Sequence, residues 1–132
     1  MAENDNKTVL IVDDDDMMRH MAEFILKKDT EYRILKANSA VQALRILQSG
    51  EETIDLILLD IQMPGMDGIK AMELIQKHDY WKKIPVIFLT ASSDRDTVVK
   101  AGKLGAAGYV KKPFEPKDLL QRVVVTLELG KL

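Results

Sequence analysis

Five short apolar runs, each followed by a segment with helical periodicity, constrain this chain more than any other feature. Val9-Leu10-Ile11-Val12 comes first, rich in β-branched residues and stopped by four aspartates. Tyr32-Arg33-Ile34-Leu35 alternates weakly and reads as an edge strand. Ile54 to Leu59, interrupted only by Asp55, then Pro85 to Leu89, then the shorter Gly108-Tyr109-Val110 complete the set. Runs that are apolar without alternation suit strands covered on both faces, as in parallel sheets. Between them lie stripes at helical spacing: Met18, Met21, Ala22, Ile25; then Ala40, Ala43, Leu44, Leu47 with Gly50 as a stop. Ile69, Met72, Ile75 and Val98, Ala101, Leu104 follow, and Leu120, Val123, Val124, Leu127 close the series with Pro116 in a first helical turn. A β-α unit repeated five times predicts an α/β fold, a doubly wound parallel sheet with helices on both faces and right-handed crossovers. At 132 residues the chain is too short for a TIM barrel and fits one domain, 1–132, with an ordered core from about 7 to 130.

Ligands of open α/β sheets gather beyond the carboxyl ends of the strands, so the residues just after each apolar run carry the functional reading. Asp13-Asp14-Asp15-Asp16 follows the first run, Asp60 the third, Thr90 the fourth and Lys112 the fifth. Taken singly, each has a bland reading: an aspartate run is a solvated turn with Asp15 or Asp16 as the helix N-cap, and Asp60 is a turn residue. Their joint placement at the ends of separate strands is far more specific. Carboxylates brought together repel unless a cation neutralises them, so Asp13, Asp14 and Asp60 form a candidate hard-cation site. Mg2+ suits few carboxylates, retained waters and a phosphate oxygen, with Mn2+ as a substitute. Lys112 adds a flexible positive charge and Thr90 a hydroxyl donor for phosphoryl oxygens. In-line positioning and neutralisation of charge are most of what phosphoryl transfer requires, with Asp60 as the nucleophile.

Those residues sit in segments that closely resemble the receiver domain of two-component response regulators. The matching stretches are Val9 to Asp15, Leu58 to Gly68 (LLDIQMPGMDG), Pro85 to Ala91 (PVIFLTA) and Gly105 to Phe114 (GAAGYVKKPF). The resemblance covers essentially the whole chain. It implies a flavodoxin-like five-stranded parallel sheet in the order 2-1-3-4-5 and phosphorylation of Asp60 by a phosphohistidine of a sensor histidine kinase or histidine phosphotransfer protein. It also implies direct metal ligation by Asp14 and Asp60, ligation by Asp13 at least partly through water, and a further ligand in the backbone carbonyl of Gln62. Thr90 and Lys112 are expected to hold the phosphoryl oxygens, Tyr109 to rotate with the state of Thr90, and Lys112-Pro113 to be cis. Such a domain catalyses only its own phosphorylation and slow dephosphorylation. A downstream protein or a second copy is expected on the face of helix 4, strand 5 and helix 5. Gln62 and Ser92, two residues after Asp60 and Thr90, flank the path of an attacking water and are expected to set the phosphorylated lifetime.

Two rival chemistries fail on spacing. A haloacid-dehalogenase-type phosphohydrolase needs a second aspartate two positions after its nucleophile, where Asp60 is followed by Gln62. A calcium loop starting at Asp13 would need glycine where Met18 stands and an acidic ligand where Phe24 stands. His20 and His78 lack partners at metal spacing and are expected at the surface, and Trp81 is expected to pack over the rim of the sheet. Net charge of −2 without basic clusters argues against nucleic-acid binding by this domain, and no apolar run approaches the roughly 20 residues of a membrane span. The absence of cysteine excludes disulfides and thiolate metal sites, and the polar Met1–Lys7 segment is unlike a secretory signal, so a cytoplasmic location is expected. Action as a stand-alone regulator and action as one domain of a longer protein both remain open.

Overall fold

The structure is a computed structural model describing residues 7–91 and 95–129. Its elements run β1 (Thr8–Val12), α1 (Asp16–Asp29), β2 (Arg33–Ala37), α2 (Ala40–Ser49), β3 (Leu56–Asp60), α3 (Gly68–Gln76), β4 (Val86–Thr90), α4 (Arg95–Lys103), β5 (Gly108–Lys111) and α5 (Pro116–Leu129), with a 3-10 turn at Trp81–Lys83. The five strands form one parallel sheet in the order β2-β1-β3-β4-β5. This is the three-layer arrangement that the repeated β-α pattern predicts.

The three central strands, β1, β3 and β4, are buried along their whole length, whereas β2 and β5 lie at the edges and are partly exposed. Successive strand residues point to opposite faces, which divides the core in two. Val9, Ile11, Leu56, Leu58, Ile87, Leu89 and Val110 pack under α1 and α5. Leu10, Val12, Ile57, Leu59, Val86 and Phe88 pack under α2, α3 and α4. Among the described residues no helix is long and apolar enough to cross a membrane.

Strand boundaries differ from the apolar runs for identifiable reasons. β3 begins at Leu56 and not at Ile54, because Asp55 exchanges bonds with Thr8: its amide donates to the Thr8 carbonyl (2.9 Å) and its carboxylate accepts from the Thr8 amide (2.8 Å). β2 runs past its apolar run to Ala37, following β1 as far as Val12. In α5 the deepest stripe is Leu119, Val123 and Leu127, one residue offset from the expected start, with Leu120 and Val124 on its flank. α1 similarly buries Ala22, Ile25 and Leu26 and leaves Met18 and Met21 partly covered.

Helix ends follow the capping residues in the sequence. Asp15 caps α1, Ser39 caps α2 and Asp67 caps α3, each accepting from amides in the first turn. Gly50 closes α2 in the left-handed region at φ +66°, where a side chain is strained. His78 is half-buried, not a plain surface residue: its ring stacks on Trp81 at 3.8 Å, and its Nδ1 accepts from the Tyr80 and Trp81 amides at 3.3 Å each. Trp81 in turn packs against the α2-α3-α4 core.

Phe88 is fully buried at the centre of β4. Replacing it with alanine is expected to destabilise the fold by about 3–5 kcal/mol, read by urea unfolding with an unchanged m-value.

Candidate functional site

Three strands deliver side chains to one point by continuing their hydrogen-bonding ladders one or two residues past the apolar runs. The Asp13 amide donates to the Ala37 carbonyl (3.1 Å), the Ile61 amide to Leu89 (3.0 Å) and the Lys112 amide to Thr90 (2.8 Å). The side-chain alternation therefore continues too. Asp13 follows the parity of Val9 and Ile11, Asp60 that of Leu56 and Leu58, and Lys112 that of Val110, all on the α1-α5 side. The result is a contact between residues far apart in sequence. The Lys112 ammonium lies 2.7 Å from Asp13 Oδ2 and 3.2 Å from Asp60 Oδ1. Lys112-Pro113 is cis, as expected from the resemblance.

Asp13 and Asp60 are 1% and 3% exposed, while Asp14 is open to solvent. Asp13, Asp14 and Asp60 each offer a carboxylate oxygen, and these atoms lie within 4.8 Å of one another. Two of these three carboxylates, Asp13 and Asp60, share the Lys112 ammonium. Asp13 Oδ1 is occupied by the Asp15 amide (2.9 Å). Asp13 Oδ2 is, among the described residues, the buried side-chain oxygen left without a hydrogen bond; its contact with Lys112 is an ion pair without hydrogen-bond alignment. A buried, underprovided anion beside two other carboxylates fits a divalent cation with oxygen ligands.

Burial pushes the Asp60 carboxyl up to about 7; the neighbouring Asp13 charge adds to the shift and Lys112 opposes it. For Lys112 burial alone acts downward, but its contacts with Asp13 and Asp60 outweigh that and hold the ammonium above its ordinary value. Lys112 is therefore positively charged at neutral pH, in the range where the raised Asp60 carboxyl titrates.

Thr90 ends β4, 2% exposed, one residue beyond the Leu89 that pairs with Asp60. It follows the parity of Val86 and Phe88, on the α4 side of the sheet. Tyr109 pairs with Phe88 across the β4-β5 ladder and so shares that face, diagonal to Thr90 and 42% exposed. Gln62 is exposed in the loop after Asp60, on the wall of a groove of about 570 Å3 shared with Met63, Pro64, Thr97 and Lys100. Ser92 lies outside the described residues.

The Asp60–Gly68 loop is pinned at its far end. The Gly68 amide donates to the Ile61 carbonyl (2.8 Å). A Cβ at Gly68 would overlap the Asp60 carbonyl oxygen and stand 2.8 Å from Ile61 Cα. Glycine is required there because α3 starts against the peptide that carries Asp60. Of the four aspartates after β1, Asp15 is the N-cap, its carboxylate accepting from the Met17 (2.9 Å) and Met18 (3.3 Å) amides. Arg19 escaped the sequence reading: its guanidinium donates to the Asp13 carbonyl (2.6 Å) and pairs with Asp16. An arginine one turn inside a helix that follows an acidic turn was the available signal.

With this geometry in place, comparison with known proteins is direct. The response regulator receiver domain profile matches residues 9–124. The chain belongs to the response regulator receiver family. Among curated relatives, this receiver is 35% identical over 121 residues to the phosphate regulon transcriptional regulatory protein PhoB of Pseudomonas aeruginosa, covering 92% of this chain and 52% of PhoB. It is 32% identical to the chemotaxis protein CheY-3 of Vibrio cholerae, covering 91% of each. The receiver spans about half the length of PhoB and of YvrH from Bacillus subtilis. A solved response regulator from Chloroflexus aurantiacus superposes with a TM-score of 0.85 at 34% identity, covering 92% of this chain and 98% of that one. The Mn2+-bound form of response regulator Rcp1 superposes with a TM-score of 0.80 at 27% identity, covering 92% and 95%.

The raised Asp60 pKa has a definite sign for stability. The folded receiver holds a proton on Asp60 between pH 3.8 and about 7 that the unfolded chain has already released, so this carboxyl lowers stability as pH rises through that window. Asp60→Asn is accordingly expected to stabilise the metal-free protein, the gain growing by about 2 kcal/mol between pH 5 and pH 8 in urea titrations at both values.

Proposed function

We propose that this receiver accepts a phosphoryl group on Asp60 from a phosphohistidine of a sensor histidine kinase or histidine phosphotransfer protein, in the cytoplasm, as one domain over residues 1–132. The observation that carries this reading is the convergence of Asp13, Asp14, Asp60 and Lys112 from three strand ends onto one point. Asp14 and Asp60 would hold a Mg2+ or Mn2+ ion directly, Asp13 at least partly through water, and Gln62 through its backbone carbonyl. When bound, the ion neutralises charge on the carboxylates and on the phosphoryl oxygens and orients the transfer in line. Mn2+ is the metal in the related Rcp1 structure.

An oxygen of ionised Asp60 attacks phosphorus as the phosphorus–nitrogen bond of the donor breaks, and the bonding pair returns to the donor imidazole. The product is an acyl phosphate. Lys112, already between Asp13 and Asp60, exchanges part of its carboxylate contact for a phosphoryl oxygen. Thr90 donates its hydroxyl to another. The incoming group adds strong acceptors and roughly two negative charges. Because Thr90 and Tyr109 share the α4 face of adjacent strands, drawing Thr90 toward the phosphoryl group opens space that changes the packing of Tyr109. The surface of α4, β5 and α5 then shifts between two arrangements and serves as the contact for a downstream protein or a second copy. The chemistry is confined to the receiver's own loading and slow unloading.

Acetyl phosphate with Mg2+ is expected to add the mass of one phosphoryl group to the wild type and none to Asp60→Asn; equal labelling of the variant would refute Asp60 as acceptor. Beryllofluoride with Mg2+ should shift amide signals of α4, β5 and α5, and a static face would exclude it as the switching surface. Substituting Gln62 or Ser92 is expected to change the rate of phosphate loss severalfold while stability stays within about 0.5 kcal/mol, as read by phosphate release and urea unfolding.

A further inference from the structure

The four consecutive aspartates do four different jobs, and one of those jobs depends on an arginine. Asp13 is buried against Lys112, Asp14 projects into solvent at the proposed cation site, Asp15 caps α1, and Asp16 pairs with Arg19. The Arg19 amide makes an ordinary helical bond to the Asp15 carbonyl (3.0 Å), which fixes its backbone in the first turn of α1. Its side chain, only 16% exposed, then folds back over the turn and donates through Nη1 to the Asp13 carbonyl at 2.6 Å. That carbonyl belongs to the peptide linking Asp13 to Asp14. The amide of Asp13 is fixed by Ala37 and the amide of Asp15 by Asp13 Oδ1, and Arg19 adds a side-chain restraint on the plane from which Asp14 springs. The neighbouring cation, Lys36, is occupied elsewhere by Glu23 at 2.8 Å.

We infer that Arg19 is a positioning residue for the cation site: by holding the Asp13–Asp14 peptide between α1 and β1, with Asp16 steadying its guanidinium, it presets the exposed Asp14 carboxylate for Mg2+. This rests on the proposed ligation by Asp13, Asp14 and Asp60. The inference runs against simple electrostatics. Arg19 is a cation near the site, and by charge alone its removal would strengthen Mg2+ binding. Positioning predicts the reverse, because outer residues that orient a ligand commonly change metal affinity about 10-fold or more. A planar guanidinium can reach the carbonyl and Asp16 together, which a lysine ammonium on a shorter fork does not reproduce.

The test is calorimetric titration of the metal-free protein with MgCl2 for wild type, Asp14→Asn, Arg19→Gln, Arg19→Lys, Asp16→Asn and the Arg19→Gln/Asp16→Asn double variant, with urea unfolding of each. Positioning predicts Mg2+ affinity about 10-fold weaker in Arg19→Gln, only partial recovery in Arg19→Lys, and a smaller loss in Asp16→Asn that disappears in the Arg19→Gln background. Should Arg19→Gln fail to fold, Asp16→Asn and Arg19→Lys still decide the matter. Unchanged or tighter binding in Arg19→Gln, or full recovery with lysine, would overturn the inference while leaving the cation site intact, provided wild type binds and Asp14→Asn does not. Absence of Mg2+ binding by the wild type would overturn both.

Discussion

The contact of Lys112 with Asp13 and Asp60 organises everything at the carboxyl edge of the sheet. Two carboxylates almost wholly removed from water are costly as neighbours, and a single ammonium between them offsets only part of that cost. The fold holds this unfavourable arrangement because its central strands are committed by their apolar runs to stand side by side. β1, β3 and β4 have no exposed position along their length, so their order and register follow from burial, and the residues immediately beyond are carried into proximity. The residual negative charge is then a property of the architecture. It makes the site receptive to a divalent cation and adds to the effect of burial in raising the Asp60 pKa.

The same alternation that separates the two cores also separates the two halves of the proposed switch. Asp13, Asp60 and Lys112 lie on the α1-α5 side, while Thr90 and Tyr109 lie on the α4 side. In the proposed switch, chemistry on one face would thereby reach the opposite surface through the end of β4, without any long chain of intermediates. Gly68 contributes from below, since its lack of a side chain lets α3 start against the Asp60 peptide and closes the loop that follows it.

Much of this was legible in the sequence. The parallel sheet follows from apolar runs without alternation, and the location of the site follows from reading only what comes just after each run. Aspartates, a threonine and a lysine at four separate strand ends pointed to phosphoryl chemistry before any contact was known. Other features depended on tertiary partners. The start of β3 is set by a side-chain bond between Asp55 and Thr8, which no local pattern encodes. The central stripe of α5 is Leu119, Val123 and Leu127, because the rotation of an amphipathic helix is decided by what it packs on. Asp15, and not Asp16, is the N-cap because its extended backbone lets its carboxylate accept from the Met17 and Met18 amides. Asp16 is already helical and pairs with Arg19, a contact visible only once the helix has brought the arginine back over the turn.

The ion pair from Asp13 to Lys112 joins the end of β1 to the end of β5, with most of the described residues between them. During synthesis the first aspartates leave the ribosome long before the lysine exists, and β3 with Asp60 emerges midway. A nascent chain can bury its early strands yet still lack the cation that makes their carboxylates tolerable together. Completion of the proposed phosphorylation site therefore waits on β5, and a chain stopped short of Lys112 lacks the cation that stands between Asp13 and Asp60.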